Sequence, residues 1–310
     1  MHGWPRIRGQ NRPLVRADGS VQFGIDPRDG IRLVGMSAEE VAWVSRLDGS
    51  TDVAAAAADA GVDPRRREEI LAVLRASGIL VSPGSARARW GFAGGNFEQE
   101  VAAAGAAAHD VVLDRQSACV WVHGRGQIAA SIAATLLQAG VGRIERDAPS
   151  GDSMRYRRRP DLVVLTAAEP VPEEAGSTWV KRGIPHLPVA LTAGGVSVGP
   201  LVLPGIGPCL GCMERVRTDL DPSWRWLRAQ LAAPPDPASV LAVGECALTT
   251  IGAGLAARVV VSHLDGTDTP VGVALEVAAP WPEMVQRRWP RHPDCGCVGE
   301  PSPAAVTMLA

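Results

Sequence analysis

Four cysteines in two close pairs give the strongest chemical signal in the chain. Cys209 and Cys212 are separated by two residues, and Cys295 and Cys297 are separated by a single glycine. Thiolates at these spacings can turn toward one ion, and two such pairs complete a tetrahedral site with no open position. The sequence therefore predicts a structural zinc ion, which would join the C-terminal region to the middle of the chain and add to folding stability.

Three other roles stay open for the paired cysteines. Cys209 and Cys212 could form a redox-active dithiol, or could be buried thiols without a ligand. His292, three residues before the second pair, could replace one thiolate in the zinc site. The two remaining cysteines are Cys119, in an apolar run, and Cys246, near the start of a predicted helix whose dipole could activate its thiol. We expect both of these to be buried core residues.

A glycine-containing turn gives the second chemical signal. Gly124 and Gly126 fit the pattern G-x-G-x-x-A, directly after an apolar strand and at the start of a helix. Glycines there allow a tight turn and a close backbone approach, while the helix N-terminus offers N–H donors to a phosphate. Glu145 and Asp147, at the end of the next predicted strand, are placed to bind ribose hydroxyls. A nucleotide site is thus permitted, but we favour a packing role in a vestigial site.

The elements around this turn predict an α/β domain with a mostly parallel, Rossmann-like sheet. Strand, helix, strand and strand follow one another at the spacing of crossover connections. We assign strands to residues 118–122, 142–146, 162–165, 196–202 and 271–277, and helices to residues 128–139 and 244–261.

The first 82 residues predict a small α+β domain of winged-helix type. Asp-Gly pairs separate its first three strands, as in hairpins. Ser37 and Glu40 have the spacing of a capping box at the start of a first helix, Thr51 can cap a second, and Asp63-Pro64 opens a third. We assign strands to residues 13–16, 21–25, 31–34 and 79–81.

A loose stretch rich in glycine and serine follows residue 82 and predicts a linker. We therefore divide the chain into a winged-helix domain (residues 1–82), a linker with a helix (residues 83–115) and an α/β domain with the zinc site (residues 116–310).

Composition narrows the classes of function. Thirty-one basic and 33 acidic residues leave a formal net charge of −2, which gives no basis for general nucleic-acid binding. The N-terminus lacks the apolar core of a signal peptide. The apolar window at residues 240–264 contains Glu245, Arg258 and His263, so it predicts a buried core segment and not a membrane span. We expect a cytoplasmic protein with reduced cysteines.

Taken together, these motifs resemble the E1-like superfamily of ThiF/MoeB type, whose members adenylate carboxyl termini. The resemblance covers roughly residues 116–300. The runs Gly207-Pro-Cys-Leu-Gly-Cys212 and His292-Pro-Asp-Cys-Gly-Cys297 resemble more narrowly one branch, the E1-like partner proteins of cyclodehydratases that form azolines in thiazole/oxazole-modified peptides. In that branch an N-terminal winged-helix domain, which recognises the precursor's leader peptide, precedes the E1-like domain.

Two departures from the adenylating members matter. Those enzymes grip the triphosphate with a long segment that contains arginine, glutamine and lysine, whereas residues 148–160 here contain arginines 155, 157, 158 and 159 but no lysine. They also place a Mg²⁺-binding aspartate after the next strand, where this chain has Ala168, followed by Glu169. Without that charge stabilisation the chain is expected to keep the fold and not the chemistry, so ATP is a disfavoured cofactor.

The resemblance implies a non-catalytic protein that binds the leader of a ribosomal precursor peptide and presents it to an ATP-dependent, YcaO-type cyclodehydratase. It also implies a homodimer. The leader would add as a strand to residues 21–25 or 31–34 and lie against helix residues 64–77. Three alternatives stay open: an adenylyltransferase that uses Gly124, Gly126, Asp147 and the arginine run, an NAD-dependent oxidoreductase, and a DNA-binding regulator.

Overall fold

The computed structural model describes residues 4–7, 12–25, 30–81, 100, 108–146, 158–168, 170–192, 194–231 and 245–297. The chain forms two compact units. Among the described residues, the first unit extends to Leu113 and the second begins at Asp114.

The first unit contains a three-stranded antiparallel sheet and three helices. Its strands are β1 (Arg6–Ile7), β2 (Pro13–Val15), β3 (Val21–Phe23), β4 (Ile31–Leu33) and β5 (Leu80–Val81), and its helices are α1 (Ala38–Val44), α2 (Val53–Asp59) and α3 (Pro64–Ala76). β2, β3 and β4 form the sheet in that order, while β5 pairs with β1. The predicted strands and helices are confirmed, whereas β1 was not predicted and the winged-helix assignment stays a prediction.

The order of this sheet corrects one expectation. β3 lies in the centre with a partner on each side, so residues 21–25 cannot offer a free edge to a peptide. The edges are β2 and β4. β3 instead supplies the core, because its buried Val21 and Phe23 pack with Trp43 of α1 and Leu74 of α3.

Side-chain caps fix where these helices begin. The Ser37 hydroxyl accepts from the Glu40 N–H at 3.2 Å, and the Glu40 carboxylate accepts from the Ser37 N–H at 2.8 Å, which confirms the capping box. The prediction that Thr51 caps α2 is wrong by one residue. Asp52 is the cap and accepts from the Ala55 N–H at 2.7 Å, since a charged carboxylate is the stronger acceptor.

The second unit is built on a seven-stranded sheet. Its strands are β6 (Cys119–His123), β7 (Arg143–Arg146), β8 (Leu162–Ala167), β9 (His186–Thr192), β10 (Gly195–Val198), β11 (Val273–Ala278) and β12 (Met284–Arg288), in the order β12-β11-β10-β9-β8-β6-β7. β7, β6, β8 and β9 pair in parallel, and the ladders from β9 to β12 are antiparallel. Five strands therefore point the same way, which confirms the predicted α/β class with a mostly parallel sheet.

Helices cover both faces of this sheet. They are α4 (Ala108–Ser117), α5 (Gln127–Gln138), α6 (Glu173–Lys181), α7 (Leu210–Leu220), α8 (Trp224–Leu231) and α9 (Cys246–Leu264). Successive residues of β6 point to opposite faces: Val120 and Val122 pack in the core with α5 and α9, while Cys119 and Trp121 pack in the core that includes α7.

Among the described helices, α9 alone has the length and apolar composition of a helix that crosses a membrane. Its buried residues Gly252, Ala256 and Val260 recur every four positions and lie in the core beside α5 and the sheet. The segment Cys246–Leu264 is therefore the core helix that the sequence predicts.

Two strands of the seven-stranded sheet were not predicted from the sequence, for different reasons. β9 contains Pro188, a residue that usually interrupts a central strand, yet β9 lies between β8 and β10 and the Pro188 carbonyl accepts from the Gly199 N–H at 2.8 Å. β12 is exposed at every position, so its residues show no alternation of apolar and polar types.

A buried ion pair joins α4 to the residue after α9. Arg115 is only 1% exposed. Its Nε donates to Asp265 Oδ1 at 2.9 Å, and its Nη1 donates to the Ala139 carbonyl at 2.8 Å. The guanidinium thus connects three segments that are far apart in the chain.

Replacing Asp265 with alanine should leave this guanidinium buried without its carboxylate. We expect Asp265→Ala to lower the free energy of unfolding by about 3–5 kcal/mol, measured by urea denaturation. The exposed Asp268 provides the control, and Asp268→Ala should change the value by about 0.5 kcal/mol or less. Equal losses in the two variants would contradict the role of the ion pair.

Candidate functional site

The four paired cysteines converge in the structure. Cys209 precedes the first residue of α7 and Cys212 lies in its first turn, while Cys295 and Cys297 follow β12. All four sulfurs lie within 4.8 Å of one another. The Cys209 and Cys295 sulfurs are 3.5 Å apart, and the Cys212 and Cys297 sulfurs are 3.4 Å apart.

This arrangement fits a tetrahedral metal ion. Zn–S bonds of about 2.3 Å place the sulfurs of a tetrahedral site about 3.8 Å from each other. Burial raises the pKa of Cys209 to about 11, and burial with hydrogen bonding to Cys212 raises the pKa of Cys297. A divalent cation would favour the thiolate forms. The donor set of four sulfurs suits zinc in a structural site.

The structure also bears on the alternatives for these residues. His292 lies beside the cluster, but its Nε2 is 2.9 Å from Asp219 Oδ2 and its Nδ1 accepts from the Asp294 N–H. Both ring nitrogens are thus engaged, so His292 does not replace a thiolate. A dithiol of Cys209 and Cys212 alone is disfavoured, because two further thiols lie in contact with it.

The two remaining cysteines differ. Cys119 is buried in the core, as predicted. Cys246 is exposed, so the expectation of a buried residue is wrong. It is the first residue of α9 and accepts from the Gln127 side chain at 3.3 Å, whereas the buried stripe of α9 begins at Leu248.

An arginine between two tryptophan rings stabilises the segment that ends in the second cysteine pair. The Arg217 guanidinium lies 5.3 Å from the ring centre of Trp224 and 4.9 Å from that of Trp289. Glu214 pairs with Arg217 at 3.0 Å and accepts from the Trp224 indole N–H at 2.6 Å. α7, α8 and the residue after β12 are joined in this way.

The glycine turn lies at the carboxyl end of β6, as predicted. Gly124 has φ +116°, and a Cβ atom added there would lie 2.0 Å from Thr166 Oγ1 and 2.6 Å from the Thr166 carbonyl oxygen. Packing of the turn against β8 therefore requires glycine at this position. Gly126 has φ +86°, but its Cβ position has no atom within 4 Å, so only backbone conformation favours glycine there.

Of the two acidic residues of the expected nucleotide site, the structure describes Glu145. Glu145 is buried in β7, and its carboxylate accepts from Arg143 Nε at 2.8 Å. Asp147 lies outside the described residues. A ribose would therefore have to compete with Arg143 for the Glu145 carboxylate.

The part of the arginine run that the structure describes lies at the wrong edge of the sheet for a phosphate. Arg159 donates to the Arg182 carbonyl at 2.9 Å. The neighbouring Asp161 accepts from the Cys119 N–H at 2.7 Å, at the amino ends of β6 and β8. β8 has six residues, so this edge lies about 20 Å from the carboxyl edge that contains Gly124.

The carboxyl end of β8 offers no carboxylate in its described residues. Thr166, Ala167 and Ala168 stand there, and the Thr166 hydroxyl donates to the His123 carbonyl at 3.0 Å. Glu169, Arg155 and Arg157 lie outside the described residues. The sequence analysis did not single out Arg125, which lies exposed between the two glycines and is a cation at the correct edge.

A cavity of about 280 Å³ lies on the cysteine-cluster face of the sheet. Small residues of β9 and β10 form its floor, including Pro188, Ala190 and Ser197, and Leu210 and Met213 of α7 form a wall. Arg217 and Glu276 also line the cavity, so its lining is partly charged. The cavity was not predicted from the sequence, because its floor depends on the register of β9 and β9 was not assigned as a strand. The run of small side chains on one face of the sheet is the sequence feature that could have indicated it.

No protein-family model and no curated protein matches the chain. Solved structures do resemble it. A heterocyclase in complex with substrate and cofactor has a TM-score of 0.70 and 14% identity, over 96% of this chain and 40% of that chain. The heterocyclase TruD has a TM-score of 0.68 and 16% identity, over 96% and 43%. E. coli MccB with AMPCPP and selenomethionine MccA has a TM-score of 0.66 and 12% identity, over 96% and 99%.

These identities establish likeness of fold alone. The chain spans less than half the length of the two heterocyclases and nearly the whole length of MccB. The likeness shows that the chain shares the fold of these proteins and does not assign it to a family.

The metal site can be tested by replacing its least buried ligand. Cys297→Ser should reduce bound zinc from one ion per chain and lower the melting temperature, because the site would lose one of four thiolates. Metal content would be measured by mass spectrometry and melting by circular dichroism. Cys246→Ser, at the exposed cysteine, should change neither value. A structural metal would be contradicted if wild-type protein contained no zinc when purified, or if its melting temperature did not change after chelation.

The two glycines of the turn should respond differently to alanine. Gly124→Ala should lower the free energy of unfolding by about 2–5 kcal/mol, since it combines an unfavourable φ with overlap against Thr166. Gly126→Ala should cost about 1–2 kcal/mol, from backbone conformation only. Urea denaturation measures both, and equal costs would show that packing against Thr166 does not explain Gly124.

Proposed function

We propose that the chain is a non-catalytic partner protein. It binds the leader of a ribosomal precursor peptide and presents it to an ATP-dependent, YcaO-type cyclodehydratase that forms azolines. The main support is the distribution of charge on the E1-like sheet. The described residues at the carboxyl end of β8 include no carboxylate for Mg²⁺, and Arg159 lies at the opposite edge of the sheet. Zinc is structural in this proposal, and two copies of the chain pair.

Adenylation of a carboxyl terminus requires Mg²⁺ and stabilisation of the triphosphate charge. Mg²⁺ is held in proteins chiefly by carboxylates, and Ala168 stands where the resemblance expects one. Arg159 lies at the opposite edge of the sheet, where it donates a hydrogen bond to the Arg182 carbonyl. ATP-dependent chemistry is therefore assigned to the partner enzyme.

The first unit supplies a surface for the leader. Arg66 of α3 donates to the carbonyl of Gly35, two residues after the end of β4, at 3.4 Å and pairs with Glu40 at 3.0 Å. The start of α3 therefore lies beside the end of the β4 edge strand. Val73 follows Arg66 by seven residues, about two turns, so it continues the same stripe of α3. It is 44% exposed.

An extended leader would add to β4 as a fourth strand and contact this stripe of α3. Backbone hydrogen bonds to β4 give affinity, and side chains between sheet and helix select the sequence. β4 remains a candidate docking strand from the sequence analysis, since β3 is internal.

The comparisons support a partner role in one respect. The heterocyclase whose structure contains substrate and cofactor extends well beyond the region that this chain matches. The proposal takes the YcaO-type enzyme as the counterpart of the region of that heterocyclase that this chain does not match.

An adenylyltransferase is the second candidate. It is favoured by the match over nearly all of MccB, whose structure contains AMPCPP, by exposed Arg125 and by the open space beside Gly126. ATP–pyrophosphate exchange that Asp147→Ala abolishes would support it. An oxidoreductase has weaker support, because Arg143 already holds Glu145.

Leader binding tests the proposal. The probe is a fluorescein-labelled synthetic leader taken from each short precursor-like peptide encoded near this chain's gene, and anisotropy measures its affinity. Val73→Glu should weaken binding by about tenfold or more, because it places a charge on the docking stripe of α3. Val15→Glu, on the other edge strand and 66% exposed, is the matched control and should bind as wild type.

Equal affinity of wild type and both variants would contradict docking between β4 and α3. A wild-type chain that binds no leader but exchanges pyrophosphate with ATP would contradict the partner role itself.

A further inference from the structure

Another cavity of about 280 Å³ opens beside the cysteine cluster. Three of the four cluster residues line it, namely Cys209, Cys295 and Cys297, and residues of α6 and of the start of α7 complete the wall. Cys212 is fully buried behind them. A small molecule in this cavity would therefore meet the sulfur atoms of a site that has no open metal position.

The sulfurs differ in their exposure. Cys209, Cys212 and Cys295 are buried, whereas Cys297 has intermediate exposure. Oxidation of cysteine thiolates depends on their exposure, because the oxidant must contact the sulfur atom. Cys297 is therefore the cluster residue that an oxidant in the cavity reaches first.

The sulfurs form close pairs across the two segments that carry them. Cys297 lies 3.4 Å from Cys212, and Cys295 lies 3.5 Å from Cys209. Both distances are shorter than the 3.9 Å between Cys209 and Cys212. A disulfide within the Cys295-Gly-Cys297 run would close a ring over one residue, which strains the bond. Oxidation is therefore expected to join the start of α7 to the segment after β12.

We propose that the cysteine cluster is a peroxide-sensitive site, which exchanges its metal for a disulfide between Cys297 and Cys212. The Cys297 thiolate attacks one oxygen of hydrogen peroxide, the O–O bond breaks, and a sulfenic acid and hydroxide form. The Cys212 thiolate then attacks the Cys297 sulfur and expels a second hydroxide. Each hydroxide takes a proton and becomes water, so the two sulfurs together lose two electrons and the peroxide gains two.

This disulfide would change what holds the two segments together. The remaining thiolates, Cys209 and Cys295, cannot hold structural zinc alone, since such a site uses four ligands. The disulfide connects the same segments as the metal, so the connection between them would persist as a covalent bond. The proposal rests on the metal site and does not depend on leader binding.

The test uses the zinc-loaded, full-length chain and hydrogen peroxide. A chromogenic chelator measures zinc release, after which the remaining thiols are alkylated. We expect one zinc ion to be released per chain. Mass spectrometry of the fragmented peptides should identify a disulfide between Cys212 and Cys297. Cys246→Ser removes an exposed cysteine outside the cluster and should leave both results unchanged.

Entry of peroxide through the cavity is tested on α6. Ser177 is exposed and lines the cavity, whereas its exposed neighbour Thr178 lies outside the lining. Ser177→Trp should slow zinc release by about threefold or more, because the indole would obstruct access to the sulfurs. Its zinc content should equal that of wild type. Thr178→Trp is the matched control and should release zinc at the wild-type rate.

The proposal is overturned if the zinc-loaded chain keeps its metal and its four cluster thiols in excess peroxide, or if the disulfide forms between Cys209 and Cys212. Equal release rates in Ser177→Trp and Thr178→Trp would also overturn it, as would loss of zinc release in Cys246→Ser. A chain purified without zinc would contradict the metal site and this proposal with it, whereas failure of leader binding bears only on the partner role.

Discussion

A parallel sheet can hold a phosphate-rich ligand at only one edge, where the carboxyl ends of its strands meet helix N-termini. Here that edge has the required turn at Gly124, but Thr166 fills the space beside this glycine. Arg159 and Asp161, the charged groups before β8, bond at the amino edge instead. The sheet therefore has the strand order and glycine turn of a nucleotide-binding fold. Arg159 and Asp161, however, form their hydrogen bonds at the amino edge of the sheet, away from the edge at which a nucleotide would bind.

The cysteine cluster and an arginine–tryptophan stack join α7 to the segment that follows β12. Cys295 and Cys297 lie against the start of α7, and Arg217 is stacked between Trp224 and Trp289. Together these contacts position β12 and the small-residue floor of β9 and β10. β4 in the first unit and β12 in the second are both outer strands of their sheets.

Local patterns predicted much of this structure, and non-local contacts account for what they missed. The Ser37 capping box and the spacings within the two cysteine pairs are short-range signals. The cap at the start of α1 and the convergence of the four cysteines were both predicted from them. β9 was missed because Pro188 normally interrupts a strand, and β12 because an exposed edge shows no alternation. The exposure of Cys246 depends on how α9 rotates against α5, which neighbouring residues do not specify.

The central claim of the proposal is that the seven-stranded sheet does not bind a magnesium-bound triphosphate. Calorimetric titration of the zinc-loaded, full-length chain with Mg·AMPCPP tests this most directly. The account predicts no saturable heat up to about 1 mM nucleotide, in a preparation whose leader binding shows that it is folded and active. One nucleotide bound per chain, with binding lost in Asp147→Ala, would contradict it.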